Sequence, residues 1–362
     1  MRCDTNATHL PWSVGKLLLM FAFQLSLFLS VAAAQTEKAG GANQLPAIYG
    51  QREQQAPAAI QKKLADLRKR SEKEHWTFRV GYTKALDLPL SKLAGTAPPR
   101  NVPELASAQN KLALKVVQSQ EFALRPKIRE KAGCSSTTKA FDWRDHDGGT
   151  PVEDQKSCGS CWDFASAAVF ESNYRLNSGD LIDVSEQQIL DCHPKWNCDG
   201  GWWAFDYIES NKGITSATAY PTHPYNATRG TCQSTKPLYK LDTWGFVRDN
   251  GSIPPVDQVK EALCNHGPLI VAVRATDAFQ AYVDGVFNEH DPSCVKDGNC
   301  INHAVTIVGW DEDKKAWIIK NSWDVTWGIE GYMYIAYDSN DIGYMAAWAE
   351  TLPPSSGAAS QK

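Results

Sequence analysis

An α+β protein is what the sequence predicts, on three observations. Helical periodicity leads and strand periodicity follows in the second half of the chain, no internal repeat breaks that order, and 43% apolar with 22% charged residues is enough to bury a core. The 362 residues correspond to two or three blocks of about 150. Nineteen Pro and 25 Gly without a biased tract exclude a collagen, a coiled coil and a wholly disordered chain.

Taken in order, the elements begin with a leader. Arg2 and Lys16 precede an apolar stretch, Leu17 to Ala34, that closes on Ala32-Ala33-Ala34. This is the pattern of a cleaved signal peptide over residues 1–34, with a retained membrane anchor as the alternative. Residues 35–57 read as a loose leader, and 58–75 as a basic helix with Ile60, Leu64 and Leu67 on one face. A short apolar stretch runs from Trp76 to Leu93. Ala97 to Pro103 reads as a break, and another helix is expected near 111–123. The composition turns acidic and cysteine-rich at about Cys134. Further helices are expected from Cys161 to a stop at Gly179, with Trp162, Ala165, Ala168, Val169 and Ser172 on one stripe, and from the capping box that starts at Ser185. Two more cover Trp202–Lys212 and Asp257–His266, each closed by glycine. Strands follow at Leu269–Arg274, His303–Asp311, Trp317–Trp323 and Gly331–Tyr337. The tail 353–362 reads as disordered.

Charge divides the chain. Residues 35–133 hold 18 Lys and Arg against 9 Asp and Glu, whereas 134–362 hold 17 against 31. Opposed blocks on one chain suggest that one part sits on the other, and the acidic part is no nucleic-acid surface. Export makes disulfides permissible, and once Cys3 leaves with the signal nine cysteines remain. An odd number leaves one thiol free.

That thiol is located by the run Gln155-Lys156-Ser157-Cys158-Gly159-Ser160-Cys161-Trp162. Cys158 and Cys161 form a C-x-x-C, which also suits a redox pair or half a zinc site, but a polar stretch precedes it and no second C-x-x-C completes a metal site. His303 follows Cys161 by 142 residues and Asn321 by 160. With Cys198-Asp199-Gly200-Gly201, Ile301-Asn302-His303-Ala304 and Lys320-Asn321-Ser322-Trp323, the stretch from about Ala140 to Trp348 resembles the papain-like cysteine peptidases. The resemblance implies a helical and a β-barrel-like subdomain with the active-site cleft between them. A nucleophilic cysteine needs a helix N-terminus and an imidazolium to hold it as thiolate, and Cys161 opens a predicted helix. By resemblance His303 is its ion-pair partner and later acid, Asn321 orients the imidazole, Trp323 screens that bond from water, and Gln155 with the Cys161 N–H supplies the oxyanion donors. Gly159, Gly200, Gly201 and Trp202 are implied along the substrate cleft, though Trp202 and Trp203 also read as a buried pair on the third helix.

The resemblance also implies the disulfides Cys158–Cys198 and Cys192–Cys232. Among the remaining four cysteines the preferred pairs are Cys294–Cys300 and Cys134–Cys264. Ile342 stands about where the family has its C-terminal cysteine. Three residues depart from the family pattern near the cleft: Lys156 and Asp324 where it has glycine, and Asp163 where it has a small residue. Gly81-x-Thr83-x-Ala85-x-Asp87 is similar to the end of the family's inhibitory prosegment, so 35–133 is expected to be a propeptide that binds its own domain, 134–352 the catalytic domain. The expected function is a secreted cysteine endopeptidase made as a zymogen, with protein and peptide substrates. It is expected to be a monomer, without membrane contact after signal cleavage, in an extracellular, lysosome-like or periplasmic compartment. The alternative is a catalytically silent relative acting as a binding or matrix module. No metal, nucleotide or haem pattern occurs. Asn226-Ala227-Thr228 and Asn250-Gly251-Ser252 match glycosylation acceptors.

Overall fold

The computed structural model describes residues 47–125, 127–291 and 300–352. The signal segment 1–34, Cys294 and the tail 353–362 lie outside them. Among the described residues no helix is long and apolar enough to cross a membrane.

Helices α1 (Ala47–Gln54) and α2 (Ala58–Glu74) come first. Helix α2 buries Leu64 and Leu67 and packs Ile60 against the same cluster, the face expected from the spacing. It ends where His75 takes a left-handed backbone (φ 55°) and returns its N–H to the Ser71 carbonyl. The short apolar stretch that follows contains strand β1 (Thr77–Val80) and two turns of 3-10 helix, Lys84–Asp87 and Leu90–Lys92.

The helix expected near 111–123 begins nine residues earlier. It is α3 (Val102–Val117), followed by α4 (Gln120–Ala123) and α5 (Ile128–Ala132). Pro103 lies in the first turn of α3, where its missing N–H costs nothing, so a residue read as a break opens the helix. Its buried face is Val102, Ala106, Gln109 and Ala113, and the glutamine hides that stripe from a purely apolar pattern.

Helix α6 (Cys161–Ser178) stops at Gly179 with φ 82°, as expected, but it is buried on nearly every side and not along one stripe. It packs between helix α7 (Glu186–Cys192) and strands β6 (His303–Asp311) and β9 (Tyr344–Thr351). Ser185 caps α7 by accepting the Gln188 N–H at 3.0 Å. Helix α8 is only Phe205–Ser210, so Trp202 and Trp203 precede it and do not sit on it. Helix α9 is Val256–His266, and α10 is Asp277–Gln280.

The remaining strands are β2 (Ala140–Asp142), β3 (Leu241–Phe246), β4 (Leu269–Val273), β5 (Tyr282–Phe287), β7 (Ala316–Lys320) and β8 (Tyr332–Ala336). They form one sheet in the order β1-β5-β8-β7-β6-β4-β9-β3, with β2 also on β6. Every described pair is antiparallel except β5 with β8. Strand β4 shows how one sheet serves two cores: Leu269, Val271 and Val273 join the cluster that includes α2 and α9, while Ile270 and Ala272 join the cluster around α6 and α8. Strands β3, β5 and β9 escaped the sequence reading because Asp, Gly and Ala interrupt their β-forming residues.

Disulfides tie Cys134 to Cys264, Cys158 to Cys198 and Cys192 to Cys232. Cys300 is also disulfide-bonded, while Cys294 is not among the described residues. The free cysteine among the described residues is Cys161.

Candidate active site

Cys161 is the first residue of α6, fully buried, with the unpaired amides of the first turn directed at its end of the helix. His303 opens β6, and Asn321 lies one residue beyond the end of β7. Because β6 and β7 are antiparallel with Thr306 opposite Lys320, both side chains emerge at the same end of the sheet. Asn321 Oδ1 lies 2.8 Å from His303 Nε2, and both groups are buried. The Trp323 ring lies 4.7 Å from the His303 ring and covers that contact, with Phe279 edge-on at 5.8 Å. Among the described residues His303 Nδ1 has no hydrogen bond of ordinary geometry.

Burial alone would push the Cys161 thiol up. The positive charge and N–H of His303, with the Thr96 hydroxyl and Gly95 amide, outweigh it and bring the pKa down to about 7. A substantial thiolate fraction at neutral pH follows.

Gln155 is held by its oxygen. Ser322 Oγ donates to Oε1 at 2.8 Å and Trp323 Nε1 donates at 3.1 Å; since an indole only donates, the amide orientation is fixed. Gln155 Nε2 then donates to the carbonyls of Leu93 (2.9 Å) and Cys158 (2.7 Å).

The Leu93 bond belongs to a segment, Leu93–Ala97, that lies over the thiol and is called the cleft strand for its isolated β-bridge from Thr96 to Gly201. Thr96 Oγ1 is 3.2 Å from Cys161 Sγ, and the Gly95 N–H donates to the same sulfur at 3.4 Å. Gly201 N donates to Gly95 O and Ala97 N to Gly201 O, each at 2.8 Å, while Thr96 N donates to Asn302 O at 2.8 Å. Glycines make this approach possible. A Cβ on Gly95 would stand 1.9 Å from the Gly159 carbonyl oxygen, one on Gly159 2.6 Å from the Cys198 carbonyl, and one on Gly201 2.3 Å from the Trp162 ring. Sequence reasoning missed Leu93, Gly95, Thr96 and the Asn302 carbonyl. The signal available was the pair of small residues just before Pro98-Pro99.

The residues singled out in the sequence therefore meet at one place, with one qualification. Trp202 is buried in a stack with Trp203 at a centroid distance of 3.9 Å, and Trp203 Nε1 donates to Met345 O at 3.2 Å.

The three departures have physical consequences. Lys156 (φ 53°) and Asp324 (φ 69°) both occupy left-handed backbone, which explains why glycine suits these positions. Asp324 offsets part of that cost by accepting the Thr326 N–H at 2.8 Å. Asp163 is fully buried two residues after the thiol, with no hydrogen-bond partner for either oxygen among the described residues. Burial, with Glu186, Asp191 and Cys161 nearby, pushes its carboxyl well above the usual range and so favours the neutral form. Among the described residues no group of three or more His, Cys, Asp or Glu is arranged to hold a metal ion.

A family model described as papain family cysteine protease matches residues 137–350. Ananain of Ananas comosus is 38% identical over 229 residues, 61% of this chain and 62% of that one. Cathepsin L of Sarcophaga peregrina is 36% identical over 239 residues, 60% of this chain and 67% of that one. Thus the match spans only about three-fifths of ananain's length. The structure of digestive procathepsin L2 proteinase from Tenebrio molitor larval midgut superimposes with a TM-score of 0.64 at 26% identity, over 89% of this chain and 98% of that one.

Proposed function

The chain belongs to the papain family of cysteine proteases, and we propose that it is a secreted endopeptidase made as a precursor, in which residues 35–133 are the inhibitory propeptide and 134–352 the catalytic domain. The observation that carries this reading is the Leu93–Ala97 strand, which occupies the thiol, the Gln155 donor and the Gly201 backbone together.

With that strand displaced, each group acquires a task. An extended substrate pairs with Gly201 in place of Gly95 and Ala97. The Cys161 thiolate attacks the scissile carbonyl carbon, forming a C–S bond as the carbonyl electrons move to oxygen. Gln155 Nε2, freed from Leu93, and the Cys161 N–H stabilise that oxyanion, a single such donor being worth about 3–4 kcal/mol in other enzymes. His303 then gives its proton to the departing amine, and water hydrolyses the acyl-enzyme. Asn321 keeps Nδ1 turned to the sulfur by holding Nε2.

Charge supplies part of the hold on the precursor. Lys63–Asp277, Arg70–Glu289, Arg79–Asp284, Lys84–Asp324 and Arg125–Asp242 join basic upstream residues to acidic ones. The sign for Glu289 follows from its surroundings. Burial raises its carboxyl, while Thr276, Asn340 and Arg70 pull it back. Docking of Arg70 thus favours the charged form, and that contact is lost as pH falls through a range higher than for an exposed glutamate. The precursor should open faster at pH 4 than at pH 7.

The test is to treat the purified full-length protein with an epoxysuccinyl thiol-protease inhibitor at both pH values and read the intact mass. One adduct on Cys161, formed faster at pH 4, supports the reading. No adduct at either pH on a folded protein sinks it in favour of a silent binding module.

A further inference from the structure

Residues 102–134 are bound differently from the cleft strand that precedes them. Strand β3 ends the sheet order, so its outer edge has no strand partner among the described residues, and α3 packs over it. Asn110 takes both polar groups of Phe246: its Oδ1 accepts the Phe246 N–H at 2.7 Å and its Nδ2 donates to the Phe246 carbonyl at 3.0 Å, as a neighbouring strand would. Gln109 Nε2 satisfies the buried Trp244 carbonyl at 2.8 Å. Val102 and Ala106 lie in the same core cluster as Trp203, Trp244, Phe246 and Met345. Downstream, Ile128 is buried in the other cluster, and Cys134 is covalently joined to Cys264 in α9. Beside the Arg125–Asp242 ion pair at 2.8 Å and the Asn110 Nδ2 bond to the Asp249 carboxylate at 2.6 Å, these attachments use neutral amides, apolar contact and a disulfide, which do not titrate between pH 4 and 7. Between them and the cleft strand lie Arg100 and Asn101, both exposed.

We propose that residues 102–134 remain part of the active enzyme: opening the cleft releases the segment up to the exposed Arg100–Asn101 link, while α3 stays as cover for the β3 edge. Val102 anchors its start, since a Cβ on Gly251 would stand 2.4 Å from the Val102 side chain, and the Gly251 carbonyl accepts the Met345 N–H at 3.0 Å. Removing α3 would leave the Trp244 and Phe246 backbone groups and the apolar face beneath them to water. The proposal rests on reading the Leu93–Ala97 strand as the inhibitory segment, and it moves the start of the active enzyme upstream of the boundary at residue 134.

The experiment is limited trypsin cleavage of the folded full-length protein, transfer to pH 4, gel filtration, and intact mass of the main peak with and without reduction, after labelling with a biotinylated epoxysuccinyl inhibitor. The expected result is loss of the chain before Asn101 and retention of 101–134. Retention takes either of two forms, one continuous chain or a separate fragment that leaves only on reduction. A labelled domain that begins at or beyond residue 134 with nothing attached overturns the proposal. Retention without label overturns the protease reading and leaves the retained segment standing, so the two failures differ. A second arm uses Cys134→Ser with Cys264→Ser, where native mass measurement should still show the fragment on the domain. Its loss there would overturn the role given to α3.

Discussion

The two sides of the candidate site are built to different standards. On the sheet side, Ser322 and Trp323 both donate to the Gln155 oxygen and Asn321 Oδ1 lies 2.8 Å from His303 Nε2 under the Trp323 ring, while the neutral Asn321 Nδ2 has no partner among the described residues. On the helix side, Cys161 has Lys156 in a left-handed conformation before it and the unpartnered Asp163 after it. The difference teaches that the side which orients the imidazole and Gln155 leaves only a neutral amide donor unpaired, whereas the thiol side carries a whole unpaired carboxyl on a helix that burial on nearly all sides fixes in position.

The comparison breaks most completely at the thiol. Cys161→Ala removes the reacting atom from the helix side and should abolish inhibitor labelling and lower peptidase kcat by at least about 10⁴-fold, read as turnover of a fluorogenic peptide. Gln155→Ala removes the oxyanion donor and strips Trp323 and Ser322 of their acceptor; kcat should fall about 10²–10³-fold with KM little changed. Equal loss of affinity and no loss of kcat would contradict the donor role.

Gly95→Val tests the strand over both sides. Its side chain cannot fit against the Gly159 carbonyl, so the precursor should label with the inhibitor at pH 7 at a rate approaching that of the activated enzyme. Unchanged protection would show that the cover does not depend on this close approach.

The pH dependence sharpens the comparison. In the enzyme opened by removal of the covering segment, the rate at which a small haloacetamide alkylates Cys161 should rise with pH as the thiolate forms, and His303→Ala should move the midpoint of that rise upward, since burial then acts unopposed by the imidazolium. A midpoint unmoved by the substitution would detach His303 from the thiol.

The smallest effect is on stability. Asp163→Ala removes a carboxyl that lacks partners and should stabilise the protein by about 1–3 kcal/mol at neutral pH in denaturant unfolding. The sign follows from its raised folded-state pKa: the pH-dependent part of the cost is absent below the unfolded value near 4 and grows as pH rises toward the folded one, so the gain should shrink on acidification to what burying the unpaired neutral carboxyl costs. A gain that increases toward pH 4 would show that Asp163 is charged in the fold.

Much of the architecture was written in local pattern. The α2 face, the Ser185 cap, the glycine stops of α6 and α9 and the run of β6 each depend on residues close in sequence, where capping and periodicity act. Helix α3 was misplaced because Pro103 and Gln109 acquire their meaning from a first turn and from the edge of β3. Strand β1 pairs across 200 residues of chain with β5, and no local signal records that partner.

By itself, the sequence determined the α+β class, the free thiol left by an odd cysteine count, and the spaced cysteine, histidine and asparagine with the charge division between upstream and downstream segments. Those are properties of residue identity and short-range geometry. Only the tertiary structure decided that Leu93–Ala97 lies on the thiol, that Lys156 and Asp324 stand on left-handed backbone, that Asp163 is buried without a partner, and that α3 closes the sheet edge. Each of these depends on which distant groups exclude water from, or offer a hydrogen bond to, a given atom, and that is settled when the chain has packed.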